Sequence, residues 1–292
     1  MLGFIFRWLW RLFVFGLVLL LTYLTLFKFF PWLDRQIPMV LAIFIVYCFF
    51  AYLVIPLGFR FWQLVFKPNH LPVYAITSDG WASDPVNIVI VSQSRWQFMS
   101  SMRLARWVKA DPSSLVNLAK MLFAMVLRKP YPAAPFSKLY LFGRKQDVGF
   151  QIQTGTPPTP WHRHHVRFWR LREGEVTHQH HSFWQNLLLR FFGRKKQVWV
   201  GSATHDIRPF ALRWRNLQVT HWIDEDTNKE RDFLIQSLKD IGAVKSVSEI
   251  KAGEPLKFRG QTFGVGIVVD GYVKVVELKR PSLVGKIKSK LN

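Results

Sequence analysis

LQVTHWIDEDTNKERDFLIQSL, residues 217–238, changes character halfway along. LQVTHWI reads as a strand, and the acidic residues after it run into FLIQSL and a helix that ends at Gly242. Outward from this strand-to-helix junction, strands and helices are mixed without strict alternation. That pattern predicts an α+β domain.

The acids also raise a question of chemistry. Five of the 18 acidic residues in the chain fall between Asp224 and Asp232, just after His221. Asp224-x-Asp226-x-Asn228 imitates the start of a calcium loop. Its sixth position is Lys229 rather than glycine and its twelfth is Ile235 rather than glutamate, which argues against an EF-hand. Thr227-x-x-Glu230 has instead the form of a capping box, with acids where the helix dipole favours them. Capping accounts for Thr227 and Glu230, and leaves His221 and Asp224 at the strand's end as site candidates.

Towards the amino side, LPVYAIT (71–77), VNIVIVS (86–92), HHVRFWRL (164–171) and QVWVGSAT (197–204) read as strands. SQSRWQFMSSMRLARWVKAD (92–111) reads as a helix with Trp96, Met99, Met102, Leu104 and Trp107 on one side. A second helix is expected over 112–129, starting at Asp111-Pro112 and stopping before Pro130. LYLFGRKQDVGFQIQ (139–153) predicts a hairpin turning at Gly143–Gln146. FGVGIVVDGYVKVVEL (263–278) predicts another, with Asp270-Gly271 at its turn. Residues 174–197 look inserted between strands. Phe183, Trp184, Leu187, Leu188, Phe191 and Phe192 flank Arg190 there, as in an amphipathic helix lying on a bilayer or a short helix packed on the domain's own sheet.

The first 60 residues read as a membrane anchor. Sixteen uncharged residues lie between Arg11 and Lys28, and 24 between Arg35 and Arg60. With Arg11 snorkelling, these predict two transmembrane helices at about 8–28 and 37–58. FKFFPWLDRQIP is the expected interfacial loop between them. The placement of Arg and Lys favours both ends on the cytoplasmic side of a bacterial inner membrane. Cys48, the single cysteine, lies within the second span, so the chain forms no internal disulfide and no cysteine metal site. The expected organisation is an anchor at 1–60, a basic α+β domain at 61–280 and a basic tail at 281–292.

Charge narrows the partners. The chain carries +22; four of its 40 basic and one of its 18 acidic residues precede residue 60, leaving a net +19 on the rest. Such a domain beside a bilayer is drawn to anionic lipids. Nucleic acid is the rival partner, since aromatic residues among arginines suit base stacking as well as a lipid interface. The anchor favours lipid or another anionic envelope component. Protein partners leave no signature.

KPYPAAPFSKLYLFGRKQDVGFQ (129–151), RHHVRFW (163–169), WVGSATHD (199–206) and THWIDEDTNKERD (220–232) follow in order. In these blocks, over roughly residues 75–245, the chain resembles the LssY C-terminal domain family. The resemblance implies a bacterial membrane-associated protein. It implies lipid or envelope work by association, because some relatives look like fusions to lipid-phosphatase or DedA-type modules. Arg163, His164, His165, Thr204, Asp206, His221, Asp224, Asp226, Glu230, Arg231 and Asp232 match its pattern. Trp222 stands where the family often has a second histidine, and Glu225 where it has proline.

Eight of the nine histidines fall between His162 and His221. Three strand ends are placed to bring His164 or His165, Asp206 and His221 together, and the expected ligand set is His165, Asp206, His221 and Asp224. Imidazoles and carboxylates are an ordinary ligand set for a divalent Zn, Mn or Fe ion, which would activate water against a phosphoester or acyl bond. Arg163, Arg167 and Arg208 are the expected anion-binding residues. The bland alternative makes these histidines core hydrogen-bonding groups in a non-enzymatic interaction protein. The chain has no His-Glu-x-x-His, Cys-x-x-Cys, Gly-x-Ser-x-Gly or phosphate-loop motif to decide between them.

Overall fold

The computed structural model describes residues 2–58, 73–78, 80–172, 182–191, 196–213, 217–259 and 266–279. The chain divides into two units. The first comprises residues 1–70, 78–81 and 212–219, and the second takes the remainder.

The first unit is built on apolar helices. Helix α1 (Leu2–Leu24) passes through a π turn (Thr25–Phe29) into α2 (Phe30–Gln36). FKFFPWLDRQ is therefore helical, not a loop. The π turn just ahead of Pro31 accommodates a residue that brings no N–H and crowds the preceding turn. The break comes at Ile37, held extended by Pro38. Helix α3 (Met39–Phe49) continues through a second π turn (Phe50–Val54). Phe15–Gln36 and Met39–Gly58, of 22 and 20 residues, are long and apolar enough to cross a membrane. Pro56 carries no N–H to reach the Ala51 carbonyl, and Gln218 Nε2 donates to that oxygen at 3.0 Å instead. Tyr47 donates its hydroxyl to Leu217 O at 2.5 Å.

The second unit is α+β. Its strands are β1 (Tyr74–Ile76), β2 (Ala82–Pro85), β3 (Ile88–Ser92), β4 (Val108–Lys109), β5 (Tyr140–Leu141), β6 (Arg144–Lys145), β7 (Val148–Gln153), β8 (Arg163–Arg170), β9 (Gln197–Leu212), β10 (Val219–Ile223), β11 (Val244–Lys251), β12 (Leu256–Arg259), β13 (Gly266–Val269) and β14 (Tyr272–Leu278). Its helices are α4 (Arg95–Leu104), α5 (Leu115–Val126), α6 (Ser182–Phe191) and α7 (Thr227–Asp240). The main sheet runs β11-β14-β3-β9-β8-β7-β4, with β10 also pairing β9. Only β14 and β3 in that order are parallel.

Both faces of this sheet are covered, which is why β3 reads as an unbroken apolar run. Ile88 and Ile90 face α4 and α7, packing with Phe98, Met102, Leu234 and Leu238. Val89 and Val91 face the opposite core with Phe183, Trp184 and Leu187 of α6. Of the two arrangements open for the 174–197 stretch, its described helix, α6, takes the one packed on the domain's own sheet, and Phe192 lies outside the described residues. His178, His180, His181 and the tail 281–292 lie outside the described residues.

In the second unit three sequence expectations are corrected. The first helix is shorter than expected: α4 ends at Leu104, and Trp107 enters the core from the turn before β4 while Trp96 and Leu104 stay exposed. The 139–153 hairpin turns at Phe142-Gly143, both with positive φ, so that Leu141 pairs with Arg144. Asp270-Gly271 is no hairpin turn, because β13 pairs β12 while β14 enters the main sheet between β11 and β3. Asp270 accepts from Arg231 of α7 at 2.8 Å, and Gly271 O accepts from Ala252 N and Gly253 N. Those contacts turn the chain from one sheet to the other. Any side chain at 271 would meet the Gly253 carbonyl, and its φ of +80° also favours glycine.

Candidate metal centre

Register between β8 and β9 places the candidate residues in opposed pairs: Arg163 with Asp206, His164 with His205, His165 with Thr204. Alternation sends the two members of each pair to one face and the next pair to the other. The sheet therefore carries two polar clusters, back to back.

On one face lies a buried ion-pair network. Arg163 is 1% exposed and donates from Nε to Asp206 Oδ2 at 2.8 Å. Its Nη1 donates to Gln151 Oε1 at 3.2 Å and Pro135 O at 3.3 Å. Arg167 donates to Asp84 at 2.7 Å and to Ser137. Phe136 lies against both guanidinium groups, at 5.6 and 4.7 Å, and against the His165 ring. His165 Nε2 meets Thr204 Oγ1 at 2.8 Å, and its Nδ1 is 3.5 Å from Asp206 Oδ2. Burial pushes His165 well below its usual value. Burial alone would raise Asp206, but His165, His221 and Arg163 together hold it below the ordinary carboxylate range.

On the other face, α7 brings a carboxyl to the two histidines. His164 Nδ1 is 2.6 Å from Glu230 Oε2. The His164 ring stacks on His205 and on Phe233, each at 4.1 Å between centroids. One ligand atom from each of His164, His205 and Glu230 lies within 4.8 Å of the other two. Glu230 is 3% exposed, and its Oε1 has no hydrogen-bond partner among the described residues. Burial, with Asp206 and Asp224 nearby, pushes the Glu230 carboxyl up to about 9. Burial lowers His164 to about 4 and lowers His205 as well.

The helix start explains how Glu230 arrives there. Asp226, not Thr227, is the N-cap and accepts from Asn228 N at 3.0 Å. Glu230 thus falls one residue too late to reach back to the cap, and points into the sheet. Thr227 donates its hydroxyl to Val268 O at 3.2 Å.

The residues anticipated from sequence are distributed as follows. His165 and Asp206 are neighbours, with His221 close enough to act on both electrostatically. Asp224 Oδ1 accepts from Asp226 N at 3.0 Å, closing the turn before α7. Arg163 and Arg167 are buried with their donors turned to internal partners, and Arg208 stacks over Trp222 at 5.7 Å. A guanidinium already sits against the Asp206 carboxylate, so a metal ion there would meet a fixed positive charge. Among the described residues, His164, His205 and Glu230 have no such competitor, and two imidazoles with one carboxylate form a recognised divalent-ion set. Sequence reading assigned Glu230 to the cap and did not pair His164 with His205. The His164–His205 pairing depends on strand register and the arrival of Glu230 on which residue caps α7; the one local clue is that His164 shares its face with Val166 and Phe168.

The family model described as LssY C-terminus matches residues 68–273. Comparison with curated proteins and with solved structures returns no match.

Proposed function

The chain belongs to the LssY C-terminus family, and from that premise we propose that it is a bacterial inner-membrane protein acting at the bilayer surface. Its two apolar helices span the membrane, and its basic domain works on the cytoplasmic side on an anionic, phosphate- or acyl-bearing ligand. His164, His205 and Glu230 hold a divalent cation of the Zn, Mn or Fe kind. Three protein ligands leave a coordination position open, and a cation so held would supply an activated water for hydrolysis. The observation that carries the reading is the buried Glu230 carboxyl, one oxygen unpartnered, facing two imidazoles. Asp224 adds negative charge near the same point.

A second reading has one observation in its favour. The 2.6 Å contact between His164 and Glu230 is complete without an ion, as in a core polar pair of a non-enzymatic interaction domain. Metal analysis of the detergent-purified full chain separates the two. The metal-centre reading expects one divalent ion per chain, lost in His164→Ala, His205→Ala and Glu230→Gln. A metal content unmoved by Glu230→Gln, or a thermal midpoint indifferent to chelator, overturns it.

A further inference from the structure

Two helices in the second unit have similar apolar sequences and opposite fates. Phe183, Trp184, Leu187 and Phe191 of α6 are buried against the sheet, whereas in α5 only Ala124 and Met125 are buried, with Asn117 and Met121 half-buried. Leu115, Val116, Leu122, Phe123, Val126 and Leu127 all stand in solvent, with Leu115, Phe123 and Val126 at 86%, 68% and 76% exposure. At about 100° per residue these six positions cover roughly 140° of the helix surface, and Leu118 and Ala119 complete an apolar arc of about 180°. The helix itself is well formed. Ser114 caps it by accepting from Asn117 N at 3.2 Å, and Asn117 donates to Pro112 O.

The surroundings of the arc point to its occupant. Lys120 lies at the edge of the apolar face, and Arg128 and Lys129 follow the last turn, all exposed. Asp111, the acid ahead of the helix, is turned inward and accepts from the Tyr131 hydroxyl at 2.7 Å. Arg128 stacks over Trp161, which meets the exposed Phe210 edge-on, so the apolar surface continues beyond the helix. Twelve residues span about 18 Å, too short for a hydrocarbon core of about 30 Å. A short helix with a wide apolar face and cationic margins lies in the plane of an anionic interface, its basic stems snorkelling to the phosphates.

We propose that α5 is a membrane-docking helix, which inserts Leu122, Phe123 and Val126 among the acyl chains of an anionic leaflet while Lys120, Arg128 and Lys129 contact its headgroups. This rests on the membrane-anchored reading above, but not on the cation at His164, His205 and Glu230. It gives that reading a means of bringing the domain to lipid.

The test uses the full chain with Cys48→Ala, carrying Phe123→Cys labelled with an environment-sensitive fluorophore. Phe123 is exposed, so the substitution removes no core contact. Lys239→Cys, on the exposed side of α7, is the control. The labelled proteins are reconstituted in phosphatidylcholine–phosphatidylglycerol nanodiscs, one chain per disc. Brominated acyl chains are expected to quench the label at 123 at least twofold more than at 239, with blue-shifted emission and protection from iodide. The quenching falls when Lys120, Arg128 and Lys129 are changed to glutamate. Iodide access at 123 equal to that at 239 overturns the proposal. So does protection seen only when discs hold two chains, which would assign the face to a second copy. A chain that fails to enter discs refutes the anchored reading; a chain that enters them with position 123 in water refutes only the docking helix.

Discussion

His164 Nδ1 and Glu230 Oε2 are 2.6 Å apart, and each group is displaced towards its neutral form. Between about 4 for the imidazole and about 9 for the carboxyl both groups are neutral, and the proton in the contact is carried by Glu230 and donated to Nδ1, leaving the imidazole N–H on Nε2. A cation binding there must expel that proton.

Cation affinity therefore rises with pH. Below the Glu230 value of about 9, each pH unit is expected to raise the apparent affinity about tenfold, with about one proton released per ion. Calorimetry of Zn or Mn binding in two buffers of different ionisation heat measures the proton directly. In Glu230→Gln the release disappears along with tight binding.

The metal-free protein has a matching stability profile. Glu230 is raised in the folded state, so its contribution is full below about 4.5 and is lost as pH climbs through about 9. His164 is lowered, so its contribution is full above 6.5 and is lost as pH falls through about 4. The two slopes oppose one another between 4.5 and 6.5, and above 6.5 Glu230 acts alone. The thermal midpoint in the presence of chelator is expected to fall from pH 6.5 to 9, and Glu230→Gln, whose neutral amide still donates to Nδ1, flattens that fall.

On the opposite face the cost of a substitution is structural. Asp206→Ala leaves the buried Arg163 guanidinium without its carboxylate, which destabilises the domain by about 3–5 kcal/mol. Denaturant titration of the full chain in detergent measures it. Protein that remains folded is expected to bind a divalent cation as the unaltered chain does, since His164, His205 and Glu230 are untouched.

Helices α5 and α6 part company under the same substitution. Leu187→Ala in α6 empties a fully buried position and costs about 2–5 kcal/mol. Leu122→Ala in α5 removes an exposed side chain and changes stability in detergent by no more than about 0.5 kcal/mol. Thermal unfolding of the two variants in one detergent compares them directly.

What the sequence made legible was whatever depends on near neighbours. The apolar helices, the continuous run of β3 and the strand-to-helix junction at 217–238 all follow from period and length. Blocks of family resemblance extended the reading, and the family match covers more of the chain than those blocks. What stayed hidden depends on distant partners. Asp270-Gly271 has the same local chemistry in a hairpin as in a corner, and Arg231, 39 residues away, decides between them. Glu230 satisfies a capping pattern equally well on paper until the cap proves to be Asp226. The apolar faces of α5 and α6 differ only in whether something covers them.

Strand β14 has a consequence for biosynthesis. It sits between β11 and β3 and is the parallel partner of β3, yet about 180 residues separate the two strands in the chain. Until Tyr272–Leu278 leaves the ribosome, β3 presents an open, largely apolar edge. The main sheet therefore closes late in translation, through a contact of very long sequence separation. During that interval the nascent domain depends on dilution or on chaperones to keep the edge from pairing with another chain.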